Sequence, residues 1–123
     1  MSDSVLPAEL RAFLEDHIDS VAHLEALLLM RSSPDVVWDS QATATRLYIS
    51  EAESLAVLAH LAARGLVRPE GDGYRFDPRP GELLRAVSLL ADYYRTHLIP
   101  ITNLVHAKRR IQQFADAFKL KKE

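Results

Sequence analysis

Nine side chains between residues 46 and 110 are candidates for contact with a phosphate-bearing partner. Arginine and lysine pair with phosphate oxygens through charge-assisted hydrogen bonds, and serine and histidine add neutral ones. The candidates are Arg46, Ser54, His60, Arg64, Arg68, Arg75, Lys108, Arg109 and Arg110. These residue types suit a phosphate-bearing partner only if the elements carrying them bring them to one surface.

Acidic residues occupy the same stretches and oppose such a contact. Glu51 and Glu53 precede the middle candidates, and Glu70 and Asp72 lie between two of the arginines. Carboxylates repel a phosphate surface. Glu53 also has a structural explanation, because Ser50 three residues earlier completes the pattern of a helix capping box. A glutamate can accept a hydrogen bond from cytosine, so these acids weaken base recognition without excluding it.

No other combination of side chains in the sequence predicts catalysis or cofactor binding. The five histidines lack the close spacing of a local metal motif, so we expect no metal site. The four glycines form no phosphate-binding loop, and no serine lies in a nucleophile-elbow pattern. We therefore expect a protein that is not an enzyme and carries no cofactor.

Length and composition favour one globular domain, residues 1–123. Of the 123 residues, 48% are hydrophobic and none is cysteine, which favours a reducing compartment. The first residues lack the pattern of a signal peptide, and the apolar runs are too short to cross a membrane. We expect a cytoplasmic protein without a membrane span.

Charge is divided unevenly along the chain. Residues 1–107 hold nine arginines, no lysine and fifteen acids, a net charge of −6, whereas residues 108–123 carry +4. The basic end is either a solvated terminal helix or an arm that binds nucleic acid, an anionic membrane surface or an acidic partner.

Local patterns predict a mostly α-helical chain with one small β-hairpin. Apolar spacing and capping residues divide the first part into short elements. The predicted elements before residue 50 are helices at 7–17, 19–31 and 41–47 and a strand at 36–38. A hairpin with strands at 66–68 and 74–76 follows the central helix.

The helix after Ser50 is well defined by its ends. Ser50 and Glu53 form the capping box at its start, and Gly65 is a suitable C-terminal stop. Apolar spacing predicts that its buried face consists of Leu55, Leu58, Ala59 and Ala62. The opposite, outward face would consist of Ser50, Glu53, Ser54, Val57, His60 and Arg64.

Two further helical segments complete the chain. Residues 80–107 are predicted to form a long helix that Pro100 kinks or ends, because proline removes a helical hydrogen bond. A basic amphipathic helix or tail would span 108–123. Its apolar stripe consists of Ile111, Phe114, Ala115 and Phe118.

The order of elements over residues 19–77 resembles a winged helix-turn-helix domain with N- and C-terminal helical extensions, as in small bacterial transcription regulators. The stretch WDSQATATRLYISEAESLAVLAHLAARGLV carries the resemblance, with a capped short helix, a turn, a second helix and the exit into a hairpin. The resemblance implies a homodimer formed through the outer helices at 7–17 and 80–118. It also implies double-stranded DNA as the partner, with the second helix in the major groove and the hairpin, or wing, along the backbone.

The sequence leaves two alternatives to DNA binding open. The same scaffold would serve as a protein-interaction module, with contact residues Val57, Tyr93, Ile111, Phe114 and Phe118. Val57 also fits a thymine methyl contact or an ordinary exposed valine, and Tyr93 fits dimer packing or the wall of a ligand pocket. Residues 107–122 would also suit a membrane surface, although the stripe is short. We expect regulator-like DNA binding.

Overall fold

The computed structural model describes residues 6–122 of the chain, with side chains from residue 6 to residue 117. Within this range the chain forms six helices and three strands, so the prediction of a mostly α-helical protein with a small β-hairpin is confirmed. The elements are α1 (Ala8–His17), α2 (Val21–Ser32), β1 (Val37–Trp38), α3 (Ser40–Leu47), α4 (Glu51–Ala63), β2 (Val67–Glu70), β3 (Gly73–Phe76), α5 (Glu82–Tyr94) and α6 (Leu98–Lys122).

Side-chain caps fix the starts of three helices. Ser20, Asp39 and Ser50 precede α2, α3 and α4, and each side chain accepts a hydrogen bond from the backbone N–H three residues ahead. These N–H groups have no partner within their own helix, so the caps satisfy them. The Ser50 cap agrees with the predicted start of the central helix.

The three strands form an antiparallel sheet in the order β1-β3-β2. Trp38 lies opposite Tyr74, and Val67 lies opposite Phe76. Gly73 begins β3 where the strands come closest, because a Cβ atom there would lie 2.4 Å from the carbonyl oxygen of Trp38. The absence of a side chain at this position allows β1 to join the hairpin.

One hydrophobic cluster joins the terminal helices to the middle of the chain. Helix α1 packs on α5 and α6, while α2 packs on α4 and α3. The largest fully buried side chains come from α1, α2, α4, α5, α6 and the segments that join them. They are Leu10, Leu14, Ile18, Leu24, Leu27, Met30, Leu58, Leu61, Leu66, Val87, Leu90 and Ile101. The outer helices are therefore part of the same core that holds α4.

The C-terminal helices differ from the predicted pair. Helix α5 ends at Tyr94, and α6 runs without a break from Leu98 to Lys122. Pro100 lies in the first turn of α6, where its missing N–H would have had no helical partner. The sequence predicts that Pro100 kinks or ends the helix over 80–107, but the interruption lies between Tyr94 and Leu98 instead. Residue 108 lies within α6, so the prediction of a separate helix from 108 is wrong.

Candidate functional site

Helix α4 buries a different face from the one predicted. Ser54, Leu58 and Leu61 are completely buried, and Val57 is 3% exposed. The predicted outward face is therefore wrong at Ser54 and Val57, which lie in the core. The Ser54 hydroxyl has no hydrogen-bond partner within the described residues. Neither side chain is accessible to a DNA groove or to a protein partner.

The face of α4 that points to solvent is apolar. Ala52, Leu55, Ala56, Ala59 and Ala63 are exposed, and Leu55 keeps 55% of its surface in solvent. Their spacing places them along one side of the helix. We call this set the α4 stripe. It contains no basic residue.

Acidic side chains lie at the N-terminal end of the α4 stripe. Glu51 and Glu53 are exposed in the first turn of α4, where negative charge complements the helix dipole. The Ser40 hydroxyl donates a hydrogen bond of 3.1 Å to the Glu51 carboxylate. This end of the helix is therefore negatively charged where a DNA-reading helix approaches the phosphates.

The arginines of the hairpin pair with acids of the same hairpin. Arg75 donates through Nε and Nη2 to the two carboxylate oxygens of Glu70, at 2.9 and 2.7 Å. Its hydrogen bond and its charge lower the pKa of Glu70. Arg68 donates to Asp77 at 3.0 Å and lies 3.5 Å from Glu70. The charge that Arg68 and Arg75 would offer to phosphates is thus largely compensated.

His60 and Arg64 hold the C-terminal end of α4 against α1. The Nε2 atom of His60 lies 2.7 Å from the carbonyl oxygen of His17. Arg64 donates to the carbonyl oxygen of Asp16 at 2.7 Å and to Nδ1 of His17 at 3.0 Å. Burial and the charge of Arg64 lower the pKa of His17, in that order. His60 and Arg64, both predicted as DNA contacts, form their hydrogen bonds within the protein instead.

Lys108 is likewise an internal contact. Its ammonium donates to the carbonyl oxygens of Leu14, Glu15 and Ile18 at the C-terminal end of α1. It also pairs with Asp19 at 2.7 Å. Burial by itself would raise the pKa of Asp19, but the hydrogen bond and charge of Lys108 outweigh it and the pKa is lowered. Lys108 fastens α6 to α1.

Three of the nine predicted basic or polar contacts remain exposed on α3 and α6. Arg46 is exposed on α3, with its guanidinium 5.6 Å from the centre of the Trp38 ring. Arg109 and Arg110 are exposed on α6. Arg109 lines a cleft together with Glu53 and other residues of α2 and α4, so the basic part of α6 runs beside α4.

The predicted interaction residues are divided between surface and interior. Ile111 and Phe114 expose 69% and 73% of their surface, in a segment of α6 that is exposed throughout residues 109–117. Phe118 lies outside the described side chains. Tyr93 packs against the core, and its ring centre lies 5.0 Å from that of His97.

A polar cluster that no local sequence pattern indicates lies beneath α4. The rings of His23 and His60 stack with their centres 3.9 Å apart and their planes 2° apart. The backbone N–H of Asp19 donates to Nδ1 of His23 at 3.1 Å, and the Asp19 carboxylate lies 4.0 Å from Nδ1 of His60. Burial, followed by the charge of His60, lowers the pKa of His23 to about 4. His23 is therefore neutral near pH 7.

Comparison with known proteins supplies no relative. The chain matches no protein-family model, no curated protein and no solved structure. Among the residues that the structure describes, no helix has the length and hydropathy needed to cross a membrane.

Proposed function

We propose that this chain is a winged helix-turn-helix scaffold that acts as a protein-interaction module, with the α4 stripe as its docking surface. The α4 stripe carries the proposal, because a helix that reads DNA presents polar and basic side chains at this place. The winged-helix arrangement is supported by the order α2-β1-α3-α4-β2-β3 and by the sheet order β1-β3-β2.

The side chains of the α4 stripe suit the approach of another helix. Four of the five are alanines, which allow a partner backbone to come close, and Leu55 offers an apolar anchor. Apolar side chains gathered on one exposed face mark contact surfaces more often than scattered ones do. Glu51 and Glu53 at one end favour a partner that carries positive charge.

A second copy of this chain supplies such a partner in α6. Residues 109–117 of α6 are exposed, and an isolated helical segment of this length has little stability in water. The segment combines Ile111 with Arg109 and Arg110, so it is both apolar and basic. If α6 of each copy lies on the α4 stripe of the other, the two identical contacts form a closed, symmetric dimer.

Charge-reversal substitutions in α4 and in α6 test this arrangement. Glu51→Arg and Arg110→Glu each place like charges in both contacts of the dimer, so each variant alone is expected to dimerise roughly tenfold more weakly than the wild type. A mixture of the two variants has complementary charges in both contacts and is expected to recover dimers. Sedimentation equilibrium measures all of these constants.

Asp92→Arg is the matched control, because Asp92 is an exposed acid on α5 that belongs to neither proposed contact surface. It is expected to dimerise like the wild type. Variants that associate as tightly as the wild type, or a mixture that recovers nothing, would contradict the arrangement.

DNA binding is a second candidate, favoured by the exposed arginines beside α4. Arg46 and Arg109 flank the helix, and Arg109 shares a cleft with Glu53. If the protein binds duplex DNA, the affinity measured by fluorescence anisotropy falls steeply with salt, and Arg46→Glu or Arg109→Glu weakens it further. Absence of binding to duplex DNA at low salt removes this candidate.

A further inference from the structure

The cluster beneath α4 joins residues from three parts of the chain. Asp19 lies between α1 and α2, His23 in the first turn of α2, and His60 near the end of α4. Each offers one possible ligand atom, and these atoms lie within 4.8 Å of one another. None of the three belongs to the α4 stripe, although His23 shares a cleft with Ala56 at the edge of that stripe.

The hydrogen bonds of His60 leave one ring nitrogen free to act as a ligand. Its Nε2 lies 2.7 Å from the carbonyl oxygen of His17, and a carbonyl can only accept, so Nε2 carries the proton. The lone pair is therefore on Nδ1. A hydrogen bond from the second ring nitrogen to a carbonyl is the usual way in which proteins orient a metal-binding histidine.

The Asp19 carboxylate faces that lone pair across a gap that no hydrogen bond fills. Its Oδ2 atom lies 4.0 Å from Nδ1 of His60, too far for a hydrogen bond. Two metal–ligand bonds of about 2.0–2.1 Å at a tetrahedral angle need a shorter separation, so the two side chains would close slightly on an ion. The other carboxylate oxygen, Oδ1, is held by Lys108 at 2.7 Å, which fixes the direction of Oδ2.

We propose that Asp19, His23 and His60 bind a divalent first-row transition-metal ion such as Zn²⁺, through two imidazole nitrogens and one carboxylate oxygen. Calcium and magnesium prefer oxygen ligands only, so this donor set selects against them. The lone pairs of two parallel rings cannot meet at one ion, so His23 joins the set when its ring turns out of the stack with His60 and its Nδ1 releases the backbone N–H of Asp19. The positive charge of Lys108 nearby makes the binding weaker than at a closed structural zinc site.

A metal ion at this site links the end of α4 to the α1–α2 junction. Three protein ligands leave a coordination position for water or for a group from another molecule. An ion that binds only the folded chain also stabilises it. Zinc is therefore expected to raise the midpoint of thermal unfolding. None of this depends on whether the α4 stripe binds a protein.

Titration of the full chain with Zn²⁺ by isothermal calorimetry, and with Co²⁺ by visible absorption, tests the proposal. One ion per chain is expected, with the ligand-field bands of nitrogen and oxygen coordination. Asp19→Asn and His60→Gln are each expected to weaken binding at least about tenfold. His106→Ala removes an exposed histidine of α6 outside the cluster and is expected to bind as the wild type does.

Nitrogen NMR of the wild type identifies the ligand atoms without any substitution, so the test holds even if His60→Gln does not fold. Zinc is expected to shift Nδ1 of His60 while Nε2 keeps its proton. A wild-type chain that binds no Zn²⁺ would overturn the proposal. Binding that Asp19→Asn leaves unchanged, or zinc that shifts His106 instead of His60, would overturn it as well.

Discussion

The side chain of Lys108, on α6, caps the C-terminal end of α1, which is distant from it in the sequence. Its ammonium contacts the carbonyl oxygens of Leu14 and Ile18 and pairs with Asp19. The last carbonyls of a helix have no partner within the helix, and positive charge there complements the helix dipole. One side chain thus satisfies several backbone groups and joins the last helix to the first.

Replacing Lys108 by alanine is expected to lower the free energy of unfolding by about 2 kcal/mol, because the Ile18 carbonyl and the Asp19 carboxylate lose a charged partner. Arg110→Ala, at an exposed position two residues later, is expected to change it by less than about 0.5 kcal/mol. Urea unfolding at pH 7 measures both values. Equal effects of the two substitutions would show that Lys108 is an ordinary surface lysine.

Lys108, Arg109 and Arg110 are three consecutive basic residues in the sequence, but within the part of the chain that the structure describes only Lys108 binds backbone carbonyls of another helix. The carbonyls that bind Lys108 belong to the first twenty residues, so no local pattern distinguishes it from its neighbours. The same is true of His23 and His60, which lie on different helices. Roles that arise from contacts between distant segments were therefore not predictable from spacing.

At the scale of elements, the sequence predicts where α4 begins and ends. It does not predict how the helix is turned about its own axis, and so which face is buried. Ser50 caps the first turn, and Gly65 follows the last with a positive φ of 80°, which glycine adopts easily. Alanine and leucine occur on every side of this helix, so apolar spacing fits more than one buried face. Packing against α2 and α3 selects the face with Val57 and Leu58.

Two neighbouring substitutions test that rotation. Val57→Asp places a carboxylate in the core and is expected to lower the free energy of unfolding by about 3 kcal/mol or more. Ala56→Asp places the same group on the exposed side and is expected to cost about 1 kcal/mol or less. Thermal and urea unfolding of dilute protein give the comparison. A larger loss for Ala56→Asp would mean that the helix is rotated the other way.

At the scale of the whole molecule, charge and apolar surface occur together in two places. The α4 stripe lies beside Glu51 and Glu53, and the exposed part of α6 combines Ile111 with Arg109 and Arg110. The sequence indicated the basic end and its apolar stripe. It did not indicate the surface that we propose as their partner, because that surface depends on which face α4 buries.

The α4 stripe is the proposed surface for protein contact, and sedimentation velocity over a range of concentrations tests this role most directly. Leu55→Glu places a charge in the middle of the stripe, while Leu84→Glu changes a leucine of similar exposure on α5 (55% and 45%). We expect the wild type and Leu84→Glu to sediment as dimers and Leu55→Glu to dimerise at least about tenfold more weakly. A wild-type chain that stays monomeric, or a Leu55→Glu variant that dimerises as tightly as the wild type, would contradict the account.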